Sequence, residues 1–406
     1  MKTMTWCRTR FCQARDRAQG QAQGQGRAAG YRLSFLALMV LAVAVAAPAS
    51  AATIETAARE AILIDAATGA VLFEKDADLS MPPASMSKIM TVYMVFSRLK
   101  EGRLSLDDTL PVSEKAWKMG GSKMFVEVGS QIRVEDLLRG VIVQSGNDAC
   151  IVLAEGLAGS EEGFAQAMTE KAHEIGLTDS TFANATGWPD ANQRMTARDL
   201  ATLALRTIQD FPDYYHYYSE KNFEWSDIRQ GNRNPLLYKT IGADGLKTGH
   251  TEEAGYGLTA SAVQDDRRLI LVVSGLESVR ARAEESERLL RWGFREFDNY
   301  VLFAADETVD EAPVWLGETA SVPLVAGEEL VLTMARQARK GMKVSVNYVS
   351  PIPAPIEQGE EIAELVVTPS EGEPMTFPLY AGASVGQKGP FGRIVAAVEF
   401  LIFGAH

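Results

Sequence analysis

Cysteine and histidine are both scarce in this chain. Its 406 residues hold three cysteines and four histidines. Cys7 and Cys12 fall in the first twelve residues and Cys150 stands alone. No internal disulfide framework is available, so stability must come from a buried core. His173, His216, His250 and His406 form no H-E-x-x-H, and no G-x-S-x-G occurs. Zinc-hydrolase and nucleophile-elbow readings therefore lack support, and no metal or cofactor is called for. A nucleophile here needs a base other than histidine. Positive charge is also short: 40 Lys and Arg face 53 Asp and Glu, a net −13. Nucleic acid is excluded as a partner, because phosphate binding needs a basic face.

Long apolar runs are limited to 33–47, fifteen uncharged residues. A spanning helix needs ~20. Lys2, Arg8, Arg10, Arg15, Arg17, Arg27 and Arg32 precede the run, with Asp16 the one acid, and Ala49-Ser50-Ala51 follows it. That is the pattern of a secretory signal peptide over 1–51, with an uncleaved N-terminal anchor as the other reading. Removing it takes away seven basic residues and one acid, leaving 355 residues with a net charge of −19. The 46% apolar and 23% charged residues are those of a globular protein.

The remaining chain alternates strand and helix signals. Short apolar runs at 61–65 and 71–74 flank a Gly-containing turn and predict a hairpin. Helices are predicted at 86–99, 135–143, 148–157 and 162–175, and from a Thr196-x-x-Asp199 start to about 209. A second hairpin spans 256–263 and 269–274 around Asp265-Asp266, and 280–297 returns to helical spacing. The expected fold class is α+β, an antiparallel sheet covered by helices. From about Glu311 six short runs predict strands at 314–316, 320–324, 329–334, 342–349, 361–368 and 375–379, a small β-sandwich or barrel. The divisions expected are 1–51, 52–305, 306–386 and a tail, 387–406. In the tail Phe391, Ile394, Val395, Val398, Leu401 and Ile402 share one helical face. Such a helix is too short to span a bilayer but can lie in its interface or pack on its own domain.

Three short motifs carry chemistry. Ser85-Met86-Ser87-Lys88 puts a hydroxyl and an amine at i and i+3 near a helix start. Burial beside Ile89, Met90 and Val92 lowers the lysine pKa, and free N–H groups of the first turn suit a developing oxyanion. Ser145-Gly146-Asn147 sits in a helix break, where a hydroxyl can relay a proton and an amide can hold substrate or lysine. Lys247-Thr248-Gly249 offers a cation and hydroxyl for a carboxylate, with glycine allowing close backbone approach. Singly, each is weak: Ser97-Arg98-Leu99-Lys100 and Ser345-Val346-Asn347 repeat two of the patterns. The specificity lies in the three together, in this order.

With PPASMSKIMT, VQSGNDAC, IRQGNRN, DGLKTGHT and ESERLLRWGFREF, residues 54–403 resemble the low-molecular-mass penicillin-binding proteins. These are serine-type D-alanyl-D-alanine carboxypeptidases of peptidase family S11. The resemblance implies a penicillin-binding, β-lactamase-like transpeptidase fold, then a small all-β domain and an amphipathic membrane-anchoring tail. It implies removal of the terminal D-Ala from peptidoglycan pentapeptides, inhibition by β-lactams, and a role in peptidoglycan maturation and cell shape. The protein would be periplasmic, held peripherally on the outer face of the inner membrane. Carried over, Ser85 is the nucleophile, Lys88 its base, Ser145 a proton relay and Asn147 an orienting amide for substrate and Lys88. Lys247 and Thr248 bind the carboxylate beside Gly249, and the N–H groups of Ser85 and His250 form the oxyanion hole. Arg233 and Arg282 add positive charge there or form structural salt bridges. Cys150 reads as a buried small apolar residue. A D,D-endopeptidase, a class A β-lactamase and a non-catalytic penicillin-binding sensor are the alternatives. Against the β-lactamase, the second motif has Gly146 where that class carries Asp, and no E-x-x-L-N follows.

Overall fold

The computed structural model describes residues 4–5, 54–370 and 372–394. Nearly all of the expected leader and the tail beyond 394 lie outside the described residues. The described residues form two compact units: 54–302 with 331–336, and 303–330 with 337–394.

The first unit is built on β1 (Glu60–Asp65) and β2 (Val71–Lys75). Helices α1 (Lys88–Lys100), α2 (Val134–Ile142), α3 (Asn147–Ala158), α4 (Glu161–Glu174) and α5 (Ala197–Asp210) follow. Then come β3 (Ala243–Thr251), β4 (Gly255–Gln264), β5 (Arg267–Leu276), α6 (Val279–Glu296) and β6 (Phe297–Phe303). The first five strands form an antiparallel sheet in the order β2-β1-β5-β4-β3.

Side-chain alternation divides the core at this sheet. On β5, Ile270 and Val272 join one apolar cluster with Ile89, Met90 and Phe96 of α1 and Leu200 of α5. Leu269, Leu271 and Val273 join the other, with Leu289 and Leu290 of α6. Both faces are covered, so β1 and β5 read as apolar runs rather than alternations. Each buried Leu or Ile contributes about 2 kcal/mol. Gly293 brings α6 onto the sheet: a Cβ there would stand 2.7 Å from Leu63 Cδ2. Thr196 caps α5 by accepting from Asp199 N at 3.0 Å, as its sequence pattern predicts.

One difference from the sequence reading matters. Residues 84–87 form a 3₁₀ turn ahead of α1, so Ser85 precedes the helix that carries Lys88. The motif Lys247-Thr248-Gly249 lies in the middle of the nine-residue edge strand β3, ahead of β4.

Ahead of the helical residues 390–394 the second unit is built of strands. Its main sheet contains β7 (Thr308–Trp315), β8 (Ser321–Ala326), β9 (Lys343–Asn347), β10 (Glu361–Thr368) and β11 (Met375–Ala381). Neighbours pair antiparallel in the order β9-β10-β11-β8-β7. Alternate residues Val322, Leu324 and Ala326 are buried, the pattern of a sheet with one covered face. The strand predicted at 329–334 exists as Leu330–Ala335 but pairs with β6 instead of joining this sheet.

Candidate active site

Ser85 is half-buried in the turn Ala84–Ser87. The turn is closed by Met86 N donating to Pro83 O at 3.1 Å and Ser87 Oγ donating to Ala84 O at 2.9 Å. Two glycines press on it from other segments. A Cβ on Gly249 of β3 would stand 2.9 Å from Pro83 O, and one on Gly187 would overlap the Ala84 carbonyl. Only residues without a side chain let the edge strand and the 184–188 loop close on Ser85.

One turn along, Lys88 is fully buried. Its Nζ lies 2.8 Å from Ser85 Oγ and also donates to Thr186 O. Burial, with a smaller push from the Arg233 cation, lowers its pKa to about 8 against the nearby Asp148 carboxylate. A substantial neutral fraction is then present at mild pH, and neutral Lys88 accepts the proton of Ser85.

The Thr186 carbonyl is itself held. Asn184 Oδ1 accepts from Thr186 N at 3.1 Å, Gly187 N at 2.8 Å and Trp188 N at 3.0 Å. Sequence reasoning missed Asn184, Thr186 and Gly187. Asn-x-Thr-Gly is a turn signature, but nothing local says that the turn meets a lysine 98 residues away.

Ser145 is buried in the break between α2 and α3, with φ +60. Gly146 follows because a Cβ there would meet Asp148 Oδ1 at 2.9 Å and Met124 N at 3.0 Å. The buried Asp148 carboxylate accepts from Met124 N and Phe125 N at 2.8 Å, and from Val126 N at 3.2 Å. It thereby ties the 119–126 loop to the start of α3. Asn147 N donates to Ser122 O at 2.7 Å, and its Nδ2 donates to Gly120 O at 2.9 Å. The hydrogen-bond partners of Lys88 among the described residues are thus Ser85 and Thr186, not Asn147.

On β3, Lys247 and Thr248 are buried and His250 is exposed. Lys247 Nζ donates to Thr248 O at 3.1 Å. Burial first, then Lys88 and Arg233, push its pKa well down. The His250 ring lies on Tyr256, centroids 3.9 Å apart, and the Arg282 guanidinium stands over the same tyrosine at 5.8 Å. Arg282 is buried, and among the described residues it forms no ion pair and its Nε has no partner. Burial lowers its pKa to about 10. Arg233 Nη1 donates to Ser122 Oγ at 2.6 Å. Among the described residues neither arginine forms the structural salt bridge open to it on sequence grounds. Lys247, Arg233 and Arg282 concentrate positive potential beside the Ser85–Lys88 pair in an acidic chain, which suits an anionic group on the substrate.

Two residues stand apart. Cys150 of α3 is buried, and burial pushes its thiol up to about 12, beyond ordinary reactivity. Lys100 of the repeated S-x-x-K is exposed and donates to Asp210 O. Among the described residues no cluster of His, Cys, Asp or Glu could hold a metal ion.

Comparison with known proteins agrees along the chain. The D-alanyl-D-alanine carboxypeptidase family model of peptidase S11 matches residues 44–278, and the C-terminal domain of penicillin-binding protein 5 matches 297–387. D-alanyl-D-alanine carboxypeptidase DacC of Escherichia coli (strain K12) is 42% identical, covering 83% of this chain and 86% of its own. DacA of Haemophilus influenzae is 37% identical over 82% and 86%. The crystal structure of penicillin-binding protein 5 from Haemophilus influenzae superposes with a TM-score of 0.76 at 36% identity, covering 83% of this chain and all of that one. On these matches, the chain belongs to the serine-type D-alanyl-D-alanine carboxypeptidase family S11.

Proposed function

We infer that the protein is a serine-type D-alanyl-D-alanine carboxypeptidase that trims the terminal D-Ala from peptidoglycan pentapeptides. The observation carrying this reading is the 2.8 Å contact between Ser85 Oγ and a fully buried Lys88 Nζ with a pKa near 8. Ser85 Oγ attacks the carbonyl carbon of the penultimate D-Ala as its proton passes to Lys88. The N–H groups of Ser85 and His250 receive the oxyanion. Collapse breaks the C–N bond, and the amine of the departing D-Ala takes a proton relayed through Ser145. Water then adds to the Ser85 ester, and the acid product leaves with Ser85 restored. Lys247 and Thr248, backed by Arg233 and Arg282, hold the substrate carboxylate beside Gly249. Asn147 orients the peptide. A β-lactam presents the same carboxylate and an acylating carbonyl, and traps Ser85.

The test is release of free D-Ala from a D-Ala-D-Ala pentapeptide. Wild-type protein releases it and Ser85→Ala does not. Penicillin labelling without release favours a sensor, rapid penicillin turnover a β-lactamase, and cleavage of cross-linked dimers alone an endopeptidase. The Gly146 surroundings speak against the β-lactamase, since an aspartate there would press on Asp148 and Met124.

Export and a peripheral membrane contact complete the proposal. Phe391 and Ile394, where the tail helix begins, are 86% and 63% exposed. No described helix is long and apolar enough to cross a membrane. Deleting 389–406 should leave activity intact and release the protein from membranes; unchanged fractionation would refute the anchor.

A further inference from the structure

The second unit carries a groove of about 790 Å³ that the chemistry above does not use. That volume is in the range of a site for a small ligand or a few sugar rings. Phe377, Pro378 and Tyr380 line it together with Asp306, Glu328 and Gln358. Tyr380 is fixed from both sides, paired with Val325 of β8 and Glu361 of β10. Its ring lies against Gly327, where a Cβ would stand 2.7 Å from Tyr380 Cε2. The glycine lets the ring rest on the backbone as a rigid platform.

The polar groups around it are uncommitted. Among the described residues no side-chain hydrogen bond or ion pair occupies the Asp306, Glu328 or Gln358 side chains or the Tyr380 hydroxyl; Gln358 donates only its backbone N–H, to Ser384 Oγ at 3.0 Å. The described lining contains no Lys or Arg. Two carboxylates without a cation repel phosphate, anionic lipid and nucleic acid. The same carboxylates and amide accept and donate to hydroxyl and acetamido groups, and an aromatic face packs on the apolar face of a pyranose ring.

We propose that this groove binds a neutral β-linked N-acetylhexosamine chain, the glycan strand of the polymer whose peptides the first unit trims. The choice of occupant rests on that carboxypeptidase reading; the chemistry of the groove does not. A second contact on the same polymer raises the local concentration of its peptides at the catalytic unit.

The experiment titrates full-length protein with tetra-N-acetylchitotetraose, which carries no peptide and so does not engage Ser85. Saturable binding is expected, weakened about tenfold, the worth of one good contact, in Tyr380→Ala. Because Tyr380 sits in a strand, the double variant Glu328→Ala/Gln358→Ala, confined to exposed positions, guards against misfolding and should weaken binding similarly. Both variants should release D-Ala from soluble pentapeptide at the wild-type rate and more slowly from intact peptidoglycan. No saturation by the tetrasaccharide overturns the proposal, as does equal affinity in the double variant. So does saturation by a proline-rich peptide in place of the sugar, which would make the groove a protein-docking site. Wild-type release from soluble pentapeptide is read separately, so failure of the catalytic assignment is distinguishable from failure of sugar binding.

Discussion

Gly187 and Ala84 are in backbone contact: a Cβ on Gly187, at φ +74, would overlap the Ala84 carbonyl and crowd Ser87 Oγ. The loop that presents the Thr186 carbonyl to Lys88 and the turn that presents Ser85 are therefore positioned against each other. Gly187→Ala should push them apart. Since misplacement of reacting groups by about 1 Å can cost roughly 100-fold, acylation by a fluorescent penicillin should slow by about that factor. Stopped-flow labelling checks it, and an unchanged rate would show that the two segments are not coupled.

The proton inventory of Lys88 makes the rate depend on pH. Its pKa is lowered to about 8 by burial, so the neutral, proton-accepting form grows tenfold per pH unit below that value and levels off above it. The second-order acylation rate should follow the same curve. A flat profile from about pH 6 to pH 9 would remove Lys88 from the role of base. Folding stability has a matching signature. From about pH 8 to 10.5 the folded chain has lost this proton while the unfolded chain keeps it, so stability rises with pH through that window. Below it both states are protonated, and the buried charge costs the fold about 3 kcal/mol. Lys88→Met should abolish acylation yet leave the protein at least as stable at neutral pH, measured by urea unfolding.

Arg282 is a buried cation without an ion pair among the described residues. If it serves the substrate carboxylate, Arg282→Met raises KM for the pentapeptide about tenfold with little change in kcat, the loss of one charge-assisted contact. Removing an unpaired buried charge should not lower Tm. A several-degree drop in Tm with unchanged KM would instead assign the arginine to the fold.

Asp148 accepts from the backbone of Met124, Phe125 and Val126, where Phe125 is held at φ +69. Asp148→Ala strands those buried donors and should cost about 3 kcal/mol in urea unfolding. The 119–126 loop, released from α3, should become the first site of limited proteolysis. Destabilisation below about 1 kcal/mol would mean that water replaces the carboxylate.

Much of the architecture was legible because local patterns and tertiary packing agree. The helices α2 to α6 begin and end within about two residues of where periodicity and caps place them, and the β4–β5 hairpin turns at Asp265-Asp266. The strand Leu330–Ala335 was visible as a strand but not its partner β6, because pairing is a long-range choice that a short apolar run does not encode. The 3₁₀ turn at Ser85 was hidden for a related reason: its conformation is imposed by Gly187 and Gly249 from distant segments.

By itself the sequence determined the family and the residue types of the chemistry. Ser85, Lys88, Ser145, Asn147, Lys247 and Thr248 stand in three motifs whose order is specific, and hydroxyl, amine and cation are intrinsic to the side chains. Tertiary structure decided what those groups become. Only folding buries Lys88 and lowers its pKa, because desolvation depends on neighbours brought from the whole first unit. Only folding hands Lys88 to Thr186 rather than Asn147, leaves Arg282 without a carboxylate among the described residues, and shapes a groove in a second unit whose sequence carries no motif.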